Sequence, residues 1–347
     1  MDYIDFDLKI LTPAFIAGAD QKKVEIRTAS IRGLVRWWWR ALVGHEYGGD
    51  FAKLLNQEQR IFGGTRRDSA RRSLVRFSIG QAKLNVVPYG GPMFRSGCSY
   101  EVKMRDRTQK VDVLQYLAYG PARILSKKEK TRDGRIALDP AFNERNGQAR
   151  KGPVLIRPAF GTGTSFTLRL GWRAQELSIK DRLNLVKTVA SWVTLGGLGS
   201  RSRKGWGALG GGVSGAATPD LQEEAEETFE TQRSECLQDG KEVDPSRLPP
   251  FPQLSFRRIR IESTEQKWER ALGSVGLLYR KIRKEGDPWV TGLAHKDSRR
   301  ASSLIVSVHE DPSSGGLSGH LCLLPCKKSD QEQGSMARTF SVFESLA

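Results

Sequence analysis

The chain has 347 residues, enough for two domains, and at 38% hydrophobic and 27% charged it has a globular composition with no apolar run long enough to span a membrane. Fifty-six Lys and Arg oppose 39 Asp and Glu, a net charge of +17 and a pI near 9.9, which points to a polyanionic partner such as nucleic acid. Four scattered cysteines and four histidines include no zinc-type spacing, so no metal or cofactor is expected.

Residues 2–10 alternate strictly, with Ile4, Phe6, Leu8 and Ile10 on one side, which predicts a half-buried strand. The acidic, alternating start does not read as a signal peptide, and a cytoplasmic protein is expected. After a loop, "SIRGLVRWWWRAL" (30–42) predicts a helix with Ser30 as N-cap and Gly44 as its stop. At 100° per residue Ile31, Leu34, Val35, Trp38 and Leu42 form an apolar face. Arg32, Arg36 and Arg40 line another face, with Trp39 beside them and Trp37 on the opposite shoulder. Three arginines and no lysine suit bidentate phosphate contacts, and a flanking tryptophan suits base stacking.

A polar stretch with Arg66, Arg67, Arg71 and Arg72 precedes a strand at "LVRFSI". Residues 88–150 read as an insertion with one helical pattern near Val111–Tyr119. "PVLIRPAF" and "SFTLRLGW" predict a strand pair, and residues 179–195 a second amphipathic helix. That helix runs into "GGLGSRSRKGWGALGGG" (196–212). There Gly197, Gly199, Gly205 and Gly207 surround Arg201, Arg203 and Lys204, a composition that suits a phosphate cradle. The resulting β-α-β-β-α-β order is that of the ferredoxin-like fold. Residues 214–253, acidic and then proline-rich, read as a mobile linker. From 254 the order β-α-β-β-α starts again without a clear closing strand.

"RTASIRGLVRWWWRAL", "IFGGT…RRS" and "LGGLGSRSRKGWGAL" together resemble the RAMP proteins of CRISPR systems, and more narrowly the family of first subunits of the Cmr series in type III-B effector complexes. The resemblance implies an α+β chain of tandem ferredoxin-like domains, 1–213 and 254–347. It also implies a cytoplasmic, non-catalytic subunit that assembles with other RAMP subunits on guide RNA (crRNA) and single-stranded target RNA. Carried over, Arg27, Arg32, Arg36, Trp38 and Arg40 match the helix motif. Gly63 and Ser73 match the F-G segment, and Gly197, Gly199, Gly205 and Gly207 the loop. The expected RNA-contacting set is Arg27, Arg32, Arg36, Trp39, Arg40, Arg66, Arg67, Arg201, Arg203, Lys204 and the four loop glycines. Two alternatives compete: a repeat-cleaving RAMP endoribonuclease with His45 as general base, and a purely structural scaffold.

Overall fold

The computed structural model describes all residues except 67–68, 89–92, 104–106, 124–153, 174, 243, 245–248, 293–300, 312–313, 327–331 and 346–347. Its first half is built on strand β1 (Asp2–Ile10), whose Ile4, Phe6, Leu8 and Ile10 are buried as the alternation requires. Helix α1 (Thr28–Val43) follows, then α2 (Phe51–Phe62), a small hairpin of β2 (Gly64–Arg66) and β3 (Ser69–Arg71), and β4 (Val75–Lys83). Strand β5 (Ser165–Trp172) and β6 (Leu209–Ala216) complete an antiparallel sheet of order β6-β1-β5-β4.

Several local expectations need correction. α1 starts two residues earlier than Ser30. Arg27 holds the N-cap position, and its carbonyl accepts from Ser30 and Ile31. Gly44 keeps right-handed helical dihedrals and the chain runs on through a 3₁₀ turn, Gly44–Tyr47, which ends at Gly48 with φ +54°. The expected hairpin of "PVLIRPAF" with "SFTLRLGW" does not form. β5 pairs with β1 and β4, and the preceding segment contributes only two-residue bridges at Val154–Leu155 and Ala159–Phe160. Gly210, Gly211 and Gly212, read as loop, lie in β6 opposite Lys9, Leu8 and Asp7.

Most of the 88–150 insertion lies outside the described residues. Its described part holds a hairpin, Ser99–Lys103 with Thr108–Asp112, and a short helix α3 (Val113–Leu117) within the expected helical stretch. Helix α4 (Ile179–Leu195) is capped by Ser178, whose hydroxyl accepts from the Asp181 amide at 3.1 Å. It packs beside α1 and is buried over its C-terminal half, Val189, Ala190 and Trp192 included.

The stretch read as a mobile linker instead carries helix α5 (Pro219–Cys236), started by Thr218 as N-cap and Pro219 in the first turn. Its acidic residues masked an apolar stripe, Leu221, Ala225, Phe229 and Cys236, that packs onto α4 and β6; Phe229 meets Phe6 at 6.0 Å between ring centroids.

The second half comprises β7 (Arg258–Glu265), α6 (Trp268–Glu285), β8 (Leu304–Glu310), β9 (Leu317–Leu323) and α7 (Glu332–Ser345). Its sheet has the order β7-β9-β8. The two cores interlock. Ile305, Cys322 and Leu324 belong to the core of the first half, while Leu11, Phe15, Trp206 and Ala208 belong to that of the second. Ser307 donates to the Thr194 carbonyl, and Lys9 pairs with Glu310 at 2.5 Å.

Candidate nucleic-acid interface

α1 presents its arginines toward α2 and the β2–β3 hairpin. Arg32, Arg36, Arg71 and Arg72 line an open cleft of about 670 Å³, floored by Ala29, Gly33 and the Gly63–Gly64 turn. Gly33 is exposed, and a Cβ there would meet no atom within 4 Å, so no protein segment closes on this side of the helix among the described residues. Gly63 holds φ +72°, and a side chain there would run into the backbone of Arg71 and Ser73, so the turn requires glycine.

The arginine stripe is less free than its spacing suggests. Glu58 of α2, with 2% of its side chain exposed, lies beneath it. Arg36 donates to Glu58 from Nε at 2.8 Å and from Nη2 at 2.6 Å, and Arg40 reaches the other oxygen at 3.4 Å. Arg36 also stands 5.9 Å from the Phe62 ring centroid. Arg32 makes no ion pair among the described residues, and its buried Nε has no hydrogen-bond partner there. Burial, with Arg36 close by, lowers its pKa.

The three tryptophans take three different places. Trp38 is core, as expected. Trp39, expected at the arginine edge, is 1% exposed and packs edge-on against Phe62 at 5.9 Å. α2 covers that side of α1, so Trp39 offers no ring to a base. Trp37 packs edge-on against Trp38 at 5.0 Å and carries the Arg203 guanidinium over its ring, also at 5.0 Å.

The glycines of the loop serve its packing against the protein. Gly197, Gly205 and Gly207 are buried, and its amides go to protein carbonyls: Leu198 N to Gly207 O at 2.7 Å, Ser200 N to Phe15 O at 2.8 Å, and Gly207 N to Pro13 O at 3.0 Å. A side chain at Gly207, where φ is +72°, would collide with the Leu198 carbonyl, and one at Gly205 with Leu272 and Val306. Gly199 is only half-buried, but it lies so close to the Phe15 carbonyl that a Cβ would clash there. These glycines let three chain segments meet. Between Gly205 and Gly207, Trp206 plunges into the second core against Phe15, Phe94 and Trp268. The loop also docks on the edge of the second sheet, where Val306 N donates to Arg203 O at 3.0 Å.

The loop cations remain partly accessible. Arg201, Arg203 and Lys204 converge with Arg283 of α6 on a second cavity of about 400 Å³. Arg283, one of a basic run in the second half of the sequence, is not joined to the loop by any local pattern, nor is Glu58 to the stripe; each comes from a distant element. Arg27 is exposed at the start of α1, 3.9 Å from Glu25. Arg66 lies in β2, and Arg67 lies outside the described residues. His45 is exposed, donates from Nδ1 to the Leu42 carbonyl at 2.9 Å, and lines neither cavity. Among the described residues no group of three His, Cys, Asp or Glu side chains could hold a metal ion, and no helix is long and apolar enough to cross a membrane.

The profile of the RAMP superfamily matches residues 7–209, more than half of the chain. The chain belongs to the RAMP superfamily. It is 30% identical over 206 residues to CRISPR system Cmr subunit Cmr1-2 of Pyrococcus furiosus, a match covering 59% of this chain and 92% of that protein. A shorter match, 37% over 68 residues, covers 20% of this chain and 17% of Cmr1-1 from the same organism. This RAMP chain is therefore related to the Cmr1 subunits of type III-B systems. Its α+β fold is similar to the apo crystal structure of Cmr1 from Pyrococcus furiosus, with a TM-score of 0.50, 19% identity and coverage of 100% of this chain and 97% of that one. It is also similar to a chain in the cryo-EM structure of Type III-B Cmr-beta bound to cognate target RNA, with a TM-score of 0.53, 13% identity and 99% of each chain covered. At these identities the two likenesses speak for the fold alone.

Proposed function

We propose that this chain is a non-catalytic, RNA-binding subunit of a type III-B CRISPR-Cas (Cmr) effector complex. In this reading it holds the 3′ region of the guide RNA, the target RNA or both, beside other RAMP subunits. The two halves, 1–213 and 254–347, are tandem ferredoxin-like domains of the RAMP type. The sheet order β6-β1-β5-β4 supports this for the first, and β7-β9-β8, which lacks the fourth strand, for the second. Kinship with Cmr1 subunits supports the assembly, and one chain of similar fold comes from a Cmr complex bound to cognate target RNA.

One observation carries the RNA reading: Arg32, Arg36, Arg71 and Arg72 face one open cleft whose floor is glycine and alanine. Basic side chains around an accessible groove recognise the phosphate backbone and read little sequence. The binding set proposed here is Arg32, Arg36, Arg71 and Arg72 in the cleft, with Arg27 and Arg40 elsewhere on α1, Arg66 as a basic residue of β2, and Arg201, Arg203 and Lys204 at the second cavity. The test is binding of single-stranded RNA by Arg71→Glu/Arg72→Glu, a double variant at exposed positions with no buried partner among the described residues. Affinity should fall at least tenfold for all sequences. Unchanged affinity would overturn the reading.

A further inference from the structure

Several half-buried cations in this protein are matched by acids, whereas the buried Arg257 is held by the carbonyls of Gln238, Leu254 and Glu235. Glu58 serves Arg36 and Arg40, Asp181 serves Arg60, and Glu224 serves Arg182. The cavity between the loop and α6 gathers several cations in one place with no such acid among the described residues. Arg201, Arg203, Lys204 and Arg283 line it, together with Ser202 and Ser302 among others, and no carboxylate does among the described residues. Its volume, about 400 Å³, lies within the roughly 300–1,000 Å³ of small-ligand sites.

The cations are held in place by groups that leave their charge uncancelled. Arg283 donates from Nη2 to the Gly292 carbonyl at 3.1 Å and from Nη1 to the Tyr279 hydroxyl at 3.5 Å. The Lys204 ammonium stands 5.2 Å from the Tyr116 ring centroid and 5.9 Å from that of Tyr279. Arg203 lies over Trp37. Arg201 adopts φ +66°, a left-handed conformation that a non-glycine residue holds only where its surroundings impose it. Burial lowers the pKa of Arg201, Arg203 and Lys204, and the Lys204 ammonium is further disfavoured by Arg201 and Arg283. Like charges gathered out of water repel one another, and an anion placed among them removes that repulsion.

We propose that this cavity is a discrete phosphate-binding site assembled from both halves of the chain, with Lys204 and Arg283 as its central ligands. Arg201 and Arg203 form its walls. The phosphate belongs either to an RNA terminus or to an internal phosphodiester, and the proposal rests on the RNA-binding reading only for that source. Bound phosphate ties the loop, and with it the first half, to α6 of the second.

The test uses the full chain and three probes: uridine 5′-monophosphate, a 5′-phosphorylated oligouridylate and its unphosphorylated counterpart. Calorimetric titration should give one site for the monophosphate, and saturation should raise the melting temperature. Lys204→Met and Arg283→Gln should each weaken the monophosphate at least tenfold, while Arg71→Glu/Arg72→Glu leaves it unchanged. If the phosphate is terminal, only the phosphorylated oligonucleotide loses affinity in Lys204→Met; if it is internal, both do. No stoichiometric monophosphate binding, together with oligonucleotide affinities unmoved by Lys204→Met, would overturn the site. Failure of the α1 cleft variants to affect RNA would overturn the functional reading separately. Should Arg283→Gln not fold, the wild-type titration and Lys204→Met still decide.

Discussion

The α1 arginine stripe and the cation cluster of the glycine loop look alike in sequence and differ in how their charge is balanced. Under the stripe, Glu58 is buried and neutralises much of what Arg36 and Arg40 carry. Around the loop cavity, four cations meet with no acid lining among the described residues. The first arrangement stabilises an α1–α2 contact and leaves Arg32, Arg71 and Arg72 as its freest cations. The second stores repulsion that a ligand can relieve. A basic cluster is therefore a binding site only to the degree that the fold has not already supplied its counter-ion.

The largest expected effect comes from separating the loop's anchor from its charge. Trp206→Ala should destabilise the chain by about 3–5 kcal/mol, because it empties a fully buried position in the second core. Denaturant melting reads this, and a loss below about 1 kcal/mol would show that the loop is not held by that side chain. Next is Glu58→Gln. It removes charge-assisted hydrogen bonds worth about 1.5–3 kcal/mol and frees Arg36 and Arg40, so stability should fall while RNA affinity rises. A fall in both would mean that Glu58 shapes the cleft instead of competing with RNA.

The smallest effect has the opposite sign. Burial, with Arg201 and Arg283 near, moves the Lys204 pKa from 10.5 to about 8. Between about pH 8 and 10.5 the unfolded chain keeps a proton that the folded chain releases, so stability contributed at this site rises with pH through that window. Below about pH 8 the cost of the buried ammonium is fully present. Lys204→Met should therefore raise the melting temperature at pH 7 and lose that advantage near pH 10. The wild type should bind uridine 5′-monophosphate more weakly at pH 9.5 than at pH 7. A melting temperature lowered at both pH values would contradict the unbalanced-charge account.

How much of this was legible in sequence follows from range. The β1 alternation and the apolar face of α1 are local periodicities, and the structure keeps them. Trp39 differs from its expected place because helical spacing gives an angle and not the neighbour at that angle; α2, half of whose 12 residues are polar, supplies the cover. The apolar positions Leu54, Ile61 and Phe62, spaced i, i+7 and i+8, were the available signal for that helix. Glu58 needed α2 to be known first. Glycine density was read as room for phosphate, but the approaching backbones belong to Phe15 and Leu198, and the first of these lies far away in sequence. The apolar residues among those glycines, Leu198 and Trp206 above all, are the signal that the loop packs inward, and both are fully buried. Arg283 lies nearly eighty residues from Lys204, and no local pattern joins the two.

The most direct test of the central claim is the salt dependence of single-stranded RNA binding, measured side by side for the wild type, Arg71→Glu/Arg72→Glu and Glu58→Gln. The account predicts that the double variant binds at least tenfold more weakly and that its slope of log K against log salt is shallower by about 1.4, two contacts at about 0.7 each. It predicts tighter binding and an unchanged or steeper slope for Glu58→Gln. Identical affinities and slopes in all three proteins would contradict it.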